Sequence, residues 1–264
     1  MLTTEDIERY HREGYIVPRD YRLPPEVLAQ AREDYLSLLA ANDGVASDIM
    51  LGPHLNKAGA QGIKGSATWL ALASRPEIID MAAQLIGPDI ILWGTTVFGK
   101  PAHSGKATPW HQDGDYYPIR PLEVLTIWMA LDDATPENGC MRFIPGSHRQ
   151  RTLFSHHWKE GTDLTINLTC DQAHFDETTA VDLALQAGQI SFHDVYMIHE
   201  SGPNRTDHRR AAFVVRLMPA TSFYDHVLGA VMGKQHPAQD YGGRALFLLR
   251  GADKSGRNNF SIGH

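Results

Sequence analysis

The chain has 264 residues, a hydrophobic fraction of 42% and a formal net charge of −7, which suits one globular domain with a sizeable core. It has no long basic run and no apolar stretch of membrane-spanning length, so neither a nucleic-acid partner nor a membrane partner is expected. Two cysteines and an acidic N-terminus without a signal-peptide pattern favour a reduced, cytoplasmic setting.

The first part of the chain, residues 1–89, is predicted to be helical. Thr3 is a candidate N-cap for a helix that stops at Gly14. Pro25 is placed to open a second helix, in which apolar residues recur at helical spacing. Ser74 precedes a proline and an apolar-periodic run, so it is predicted to cap a further helix.

The middle of the chain, residues 90–220, is predicted to form the β core. Its short segments are rich in β-branched and aromatic residues and are separated by Gly, Pro, Asn and Asp clusters, which is typical of a sandwich or barrel. The predicted strands are 90–99, 124–131, 140–144, 189–198 and 211–217. The C-terminal segment, residues 221–264, is predicted to be loop from residue 238 onward, apart from one apolar piece at 245–249.

His111 and Asp113 give the strongest chemical signal. Residues two apart on a strand point to the same face, so an imidazole and a carboxylate would lie side by side. His199 adds a second imidazole from far along the chain. Two histidines and one carboxylate occupy one face of an octahedral metal, the pattern of non-haem Fe(II) oxygenases. These three residues are therefore the predicted metal ligands and catalytic centre.

Other histidines receive a structural interpretation. His174 and Asp176 form a second His-x-Asp pair, but too few residues separate it from His199 for the strands that a jelly roll needs between its ligands. His193 is followed by an aspartate that points to the opposite face of a strand, so the two cannot both bind one metal. A position of His193 beside the ligands stays open, but a core or surface role is expected. The competing interpretation of His111 and His199 is a pair of partly buried histidines.

With these features the chain resembles the phytanoyl-CoA dioxygenase (PhyH) family of Fe(II)/2-oxoglutarate-dependent oxygenases. The resemblance is close over about residues 85–220 and loose in the helical N-terminus. The matching motifs are Trp110-His111-Gln112-Asp113, Tyr117-Pro118-Ile119-Arg120-Pro121, Glu137-Asn138-Gly139-Cys140-Met141-Arg142-Phe143-Ile144-Pro145-Gly146-Ser147-His148, Gly188-Gln189-Ile190-Ser191-Phe192 and His199-Glu200-Ser201-Gly202-Pro203-Asn204, with Arg210 beyond.

The resemblance implies a mainly β fold with flanking helices around a double-stranded β-helix, that is, a jelly-roll, cupin-like core. It implies Fe(II) bound by His111, Asp113 and His199, with 2-oxoglutarate and O₂ as cosubstrates. It also implies that an arginine binds the far carboxylate of 2-oxoglutarate, for which a planar guanidinium is well suited. The residues that it assigns to the 2-oxoglutarate pocket are Arg210, Ser201, Trp128, Thr96 and, on a looser alignment, Lys57.

Strand alternation and family spacing disagree about the arginine. Alternation over residues 209–217 puts Arg209 on the same face as Ala211 and Phe213, which would point it inward. Spacing from the distal histidine selects Arg210. We follow the spacing, because helices packed outside a jelly roll would make both faces of this strand apolar. The alternative is that these arginines are solvated or ion-paired.

The predicted reaction is hydroxylation of an unactivated C–H bond of a small polar metabolite that resembles an amino acid, a zwitterion or a phosphonate, with release of succinate and CO₂. A monomer or small homo-oligomer is expected. Polar and charged residues near the metal pair and in the tail favour such a substrate over a lipid chain. Those residues are Asp115, Tyr116, Tyr117, Arg120, Tyr224, Asp225, His226, Arg250 and Arg257.

Four alternatives stay open at this point. An acyl-CoA hydroxylase of the same family is the first. A halogenase is disfavoured because Asp113 retains the carboxylate ligand. A zinc-dependent hydrolase could use the same ligands, but it leaves Arg210 and the Pro-Gly-Ser-His segment without a role. A non-catalytic jelly-roll binding protein is disfavoured because all three ligands are present.

Overall fold

The computed structural model describes residues 1–56, 62–235 and 241–264. Its helices are α1 (Thr4–Glu13), α2 (Pro25–Ala41), α3 (Ala67–Ala73), α4 (Pro76–Ile86) and α5 (His226–Gln235). Its strands are β1 (Tyr15–Ile16), β2 (Met50–Leu51), β3 (Ile90–Lys100), β4 (Thr108–Gln112), β5 (Ile119–Arg120), β6 (Leu125–Ala130), β7 (Met141–Phe143), β8 (His156–Trp158), β9 (Leu168–Cys170), β10 (Val181–Leu183), β11 (Ile190–Asp194), β12 (Ile198–Ser201), β13 (Arg210–Pro219), β14 (Phe223–Tyr224) and β15 (Phe247–Arg250).

The helix ends follow the local sequence signals with one exception. Thr3 caps α1 in a capping box, and Gly14 ends it in the left-handed conformation, as predicted. Pro25 begins α2, also as predicted. Ser74 is the exception, because it ends α3 and its hydroxyl donates to the carbonyl of Leu70 instead of capping α4. None of the helices in the described ranges is long and apolar enough to cross a bilayer.

Two antiparallel sheets form the predicted jelly roll. The larger sheet has seven strands in the order β1-β11-β6-β13-β3-β15, with β2 also on β3, and the smaller sheet has the order β10-β7-β12-β4. The predicted strand 189–198 is divided between β11 of the larger sheet and β12 of the smaller one. In the turn that connects β11 to β12, the carboxylate of Asp194 accepts a hydrogen bond from the backbone N–H of Tyr196 at 2.8 Å. His193 and His199 therefore belong to opposite sheets.

Helices cover the outer face of the larger sheet, so β13 is apolar on both faces. Phe213 and Val215 pack in the cluster shared with the helices, and the ring of Phe213 lies 4.7 Å from that of Trp69. Ala212 and Val214 face the smaller sheet instead. Burial on both sides explains why simple alternation does not reveal which face of this strand points to the interior.

The C-terminal segment contains a helix before the predicted loop and a strand on the apolar piece predicted at 245–249. α5 ends at residue 235, and β15 extends the larger sheet by pairing Phe247 with Leu92 of β3. The hydroxyl of Tyr224 donates to the carbonyl of Tyr241 at 2.9 Å, which ties the two halves of the segment together. This segment consequently packs against the end of the jelly roll at which the metal-ligand candidates lie.

Candidate metal centre and its two compartments

The three predicted metal ligands converge between the sheets. His111 on β4 and His199 on β12 are cross-strand neighbours, with ring centroids 4.1 Å apart. Asp113 lies just beyond the end of β4, in the first turn of a 3₁₀ helix, so it is not on the strand as expected. The turn still places its carboxylate beside the histidines, and one donor atom from each residue lies within 4.8 Å of the others.

Hydrogen bonds set the tautomer of both histidines. Nδ1 of His111 lies 2.9 Å from the carbonyl of Pro109, and Nδ1 of His199 lies 3.0 Å from the carbonyl of Met197. A carbonyl only accepts, so Nδ1 carries the proton and the lone pair of Nε2 is available to a metal. Burial, together with the neighbouring His111, lowers the pKa of His199 well below its usual range, which keeps the ring neutral.

Asp113 is a buried carboxylate that stays charged. Its Oδ2 accepts a hydrogen bond from the hydroxyl of Thr126 at 3.2 Å. Burial alone would raise the pKa of Asp113, but His111, His193 and Arg216 outweigh it and hold the pKa well below the usual range. Two imidazoles and one charged carboxylate form a donor set that fits Fe(II).

Neighbouring motifs anchor the strands that carry these ligands. Gln112 is fully buried, and its side chain donates to the carbonyls of Thr152 and Tyr196. The hydroxyl of Ser147 accepts from the backbone N–H of Ile198 at 2.9 Å, directly before the distal histidine. The Pro-Gly-Ser-His segment thus supports β12 and lies outside the metal site itself.

A first compartment beside the ligands is lined by Lys100, Trp128, Ser201 and Arg210. The side chain of Arg210 lies over the ring of Trp128 at 5.3 Å, and its Nη2 donates to the carbonyl of Gly139. Burial lowers the pKa of Arg210 to about 10, and its Nε has no hydrogen-bond partner among the described residues. The compartment therefore presents positive charge to any ligand that enters it.

Lys100 is a second basic side chain here, and the sequence analysis missed it. It lies opposite Arg210 on the neighbouring strand β3, and its Nζ donates to the carbonyls of Lys106, Ser201 and Gly202. Burial, with a smaller contribution from Arg210, lowers its pKa to about 6. Only the strand register shows the proximity of these two residues, because they are far apart along the chain.

Arg209 faces the other way. Its Nε donates to Asp132 at 3.1 Å, and its guanidinium lies 4.9 Å from the ring centroid of Tyr35, outside the jelly roll. The two sheet faces thus separate the adjacent arginines. Arg210 is in the compartment, whereas Arg209 takes part in a partly exposed ion pair.

A second compartment adjoins the same ligands. It shares Phe98, Thr108, His111, Asp113 and Arg216 with the first. Its own lining includes Trp93, Thr96, Tyr117, Tyr241 and Arg244. Thr96, a predicted 2-oxoglutarate-pocket residue, lines this second compartment and not the first, and it accepts a hydrogen bond from Arg216.

His193 lies in the core and also beside the metal-ligand candidate Asp113, which was the less favoured of its interpretations. It is 1% exposed, and its Nε2 lies 3.8 Å from Oδ2 of Asp113. Neither ring nitrogen has a hydrogen-bond partner among the described residues. His193 pairs with Thr126 across strands β11 and β6, and the hydroxyl of Thr126 donates to Asp113. Knowledge of this strand register would have predicted that His193 lies near the carboxylate.

The remaining sequence candidates lie elsewhere. The ring of His174 stacks on Phe154, and Asp176 caps a short 3₁₀ helix, so this pair is structural. Arg250 forms an ion pair with Asp80 on the surface. Lys57 lies outside the described residues.

The loop and tail residues expected near the substrate contribute unequally. Of the loop after the metal pair, Tyr117 lines the second compartment, whereas Asp115 and Arg120 are exposed. In the tail, His226 instead donates to the backbone carbonyl of Arg244. Tyr241 and Arg244 are the tail residues that reach the compartment.

A jelly roll that holds two histidines and a carboxylate between its sheets defines a non-haem metal oxygenase architecture. The profile of the family "Phytanoyl-CoA dioxygenase (PhyH)" matches residues 10–212, and the chain belongs to this family. The family is dependent on Fe(II) and 2-oxoglutarate.

Two curated relatives and two solved structures illustrate the similarity. Peroxisomal phytanoyl-CoA dioxygenase of Homo sapiens is 32% identical over 58% of this chain and 47% of its own length. A probable alpha-ketoglutarate-dependent hypophosphite dioxygenase of Stutzerimonas stutzeri is 30% identical over 55% of this chain and 51% of its own. The non-heme monooxygenase ThoJ is 28% identical over 95% of this chain and 85% of its own, with a TM-score of 0.69. The epimerase SnoN, solved with Fe³⁺, alpha ketoglutarate and nogalamycin RO, is 26% identical over 83% of this chain and 84% of its own, with a TM-score of 0.66.

The chain spans about half the length of the first two curated relatives that it matches. The family assignment covers the core that holds the metal-ligand candidates, because the matched residues include β1 to the start of β13. Arg216, Tyr241 and Arg244 lie beyond the matched range, so part of the second compartment is built from residues outside the family profile.

Proposed function

We propose that this protein is an Fe(II)/2-oxoglutarate-dependent oxygenase that hydroxylates a C–H bond of a small polar metabolite. One oxygen atom of O₂ enters the substrate and the other enters succinate, while 2-oxoglutarate loses CO₂. The observation that carries the proposal is the convergence of His111, Asp113 and His199 within 4.8 Å, inside a PhyH-family jelly roll. When bound, the iron supplies the activation of O₂, and the chain supplies the ligands and the cavity.

The first compartment suits 2-oxoglutarate. Arg210 would bind its far carboxylate, since a buried guanidinium without a carboxylate partner in the described ranges favours an anion. Ser201, Trp128 and Lys100 bound the same space. These residues orient the cosubstrate and exclude water from the metal.

The polar substrate is the finer part of the proposal. The second compartment combines aromatic rings with two arginines, and the hypophosphite dioxygenase among the relatives is named for a small anion. An acyl-CoA is the second candidate, favoured by the similarity to phytanoyl-CoA dioxygenase. A succinate-release assay decides between them when small zwitterions and phosphonates are compared with medium- and long-chain acyl-CoAs.

The metal centre itself can be tested without knowledge of the substrate. Anaerobic addition of Fe(II) and 2-oxoglutarate should produce a visible charge-transfer band with one metal per chain. We expect His199→Ala to abolish the band, and His174→Ala, which alters the second His-x-Asp pair, to preserve it. An unchanged band and metal content in His199→Ala would show that the ligand assignment is wrong.

A further inference from the structure

The side chain of Arg216 lies where the two compartments meet. It is on β13, directly opposite Thr126 of β6, and Thr126 donates to the metal-ligand candidate Asp113. Neighbouring strands are about 4.8 Å apart, so the guanidinium lies close to the ligands. Arg216 forms hydrogen bonds with Tyr117 and Thr96, which line only the second compartment. Its guanidinium is therefore oriented toward that compartment.

Arg216 and its two partners form a cluster of donors. Its Nε donates to the hydroxyl of Tyr117 at 2.6 Å, and its Nη1 donates to the hydroxyl of Thr96 at 2.7 Å. Each hydroxyl accepts from the cation and keeps its own proton to donate elsewhere. The Nη2 edge has no acceptor among the described residues, so all three side chains can donate to one ligand.

The guanidinium of Arg216 also has no carboxylate bonded directly to it in the described ranges. In residues 1–56, 62–235 and 241–264, no carboxylate oxygen lies within 4.0 Å of the guanidinium of Arg216. Asp113 is close enough to act on it electrostatically, but the charge of Asp113 is needed by the metal. Arg244 brings further positive charge to the same compartment. A cation withdrawn from water without a counterion favours an anionic ligand.

We propose that the second compartment recognises a carboxylate of the substrate through Arg216, Tyr117 and Thr96, an assignment that rests on the proposed oxygenase function. The substrate is then a small organic anion whose reacting C–H bond lies a few bonds from its carboxylate. Trp93, with its ring 4.4 Å from that of Tyr117, and Tyr241 provide an aromatic wall for the organic part. A CoA ester does not match this arrangement, because its phosphates are far from the carbon next to the thioester.

The proposal can be tested by isothermal titration calorimetry. The protein is first loaded with Ni(II) and 2-oxoglutarate, so that it can bind substrate-like ligands without turnover. The probes are phenylacetate and phenylacetamide, which share a shape and differ in charge. We expect the wild-type protein to bind the carboxylate at least about tenfold more tightly, and Arg216→Met to remove this preference. The matched control is Arg209→Met, whose guanidinium lies outside the jelly roll and should retain the preference.

Three results would overturn the proposal. One is a wild-type protein that does not distinguish the two probes. Another is an Arg216→Met protein that keeps the preference but binds 2-oxoglutarate at least about tenfold more weakly, which would assign Arg216 to the cosubstrate. If Arg216→Met does not fold, Tyr117→Phe and Thr96→Val replace it, and an unchanged preference in both is the third. Failure of the proposed function would appear separately, as loss of the Fe(II)–2-oxoglutarate band in the wild-type protein.

Discussion

Arg209 and Arg210 are adjacent in sequence but lie in opposite environments. Arg209 is paired with Asp132 on a partly exposed surface, where an ion pair contributes little to stability. Arg210 is 2% exposed, and its guanidinium donates a hydrogen bond to the backbone carbonyl of Gly139. Substitutions at the two positions should therefore affect different properties.

We predict that Arg210→Ala raises the concentration of 2-oxoglutarate needed for half-maximal succinate formation by about two orders of magnitude or more. Loss of a charge-assisted pair from a buried site costs about 3–5 kcal/mol of binding. Arg209→Ala should change this concentration by less than about threefold. The opposite ranking would show that the neighbouring arginine binds the cosubstrate.

His54 provides a pH-dependent contribution to stability. It is 3% exposed, its Nδ1 lies 2.7 Å from the hydroxyl of Thr95, and burial lowers its pKa to about 3. The unfolded chain binds a proton at this residue below about pH 6.5, whereas the folded chain does so only near pH 3. The stability that depends on neutral His54 is therefore present above pH 6.5 and decreases as the pH falls toward 3.

We predict that, as the pH is lowered, the free energy of unfolding decreases more steeply in the wild-type protein than in His54→Asn, which lacks the titrating imidazole. The difference between the two proteins should change by about 2 kcal/mol between pH 7 and pH 5. Urea unfolding at a series of pH values measures it. Parallel pH profiles would show that His54 titrates normally in the folded state.

Among the elements, the turn that precedes β7 requires a glycine. Gly139 has a φ of 80°, and a Cβ there would lie 2.1 Å from the carbonyl oxygen of Gly202. Its own carbonyl accepts from Arg210. The turn thus brings the loop after β12 and the arginine of the first compartment together.

Gly139→Ala should therefore weaken both folding and cosubstrate binding. Gly44→Ala is the matched control, because Gly44 also has a positive φ, of 87°, but no atom within 4 Å of the added Cβ. Both variants should lose about 1–2 kcal/mol from backbone strain. Gly139→Ala should lose a further 1–3 kcal/mol or so from the steric clash, together with affinity for 2-oxoglutarate. Equal stability losses would mean that the contact is easily relieved.

The sequence predicts helices well where a capping side chain or a proline marks the helix end. The caps of α1 and the proline of α2 are examples. α3 has no side-chain cap, and α5 has only weak apolar periodicity, so neither helix has a clear local signal. The division of residues 189–198 between two sheets depends on tertiary pairing, which short-range patterns do not contain.

The site was predictable where motif spacing determines it. His111, Asp113 and His199 were chosen from spacing and are adjacent in the structure. Lys100 and Arg216 were missed, and a position of His193 beside the ligands was not favoured, because the proximity of all three to the site arises from cross-strand register. The cytoplasmic setting and the oligomeric state stay predictions.

At the scale of the whole molecule, a bound metal connects two segments that are already hydrogen-bonded to each other. The imidazoles of His111 and His199 come from paired strands, so binding should require little rearrangement. A ligand at 100 times its dissociation constant stabilises the folded state by about 2.7 kcal/mol.

We predict that Ni(II) raises the Tm by several degrees and that a chelator reverses the effect. Asp113→Ala should lose most of the increase, whereas His174→Ala should keep it. Differential scanning fluorimetry with and without the metal makes the comparison. A metal-induced increase that survives in Asp113→Ala would place the stabilising site elsewhere.

The strand order of the larger sheet also has a consequence for how the chain folds during its synthesis. Along the path β1-β11-β6-β13-β3-β15, no strand pairs with the strand that follows it in the sequence. β3 pairs early only with the two-residue strand β2 and cannot gain its longest pairing until β13 has left the ribosome. Such distant contacts make folding slow and leave apolar surface exposed to aggregation. Slower translation or lower temperature during expression should therefore increase the yield of folded protein.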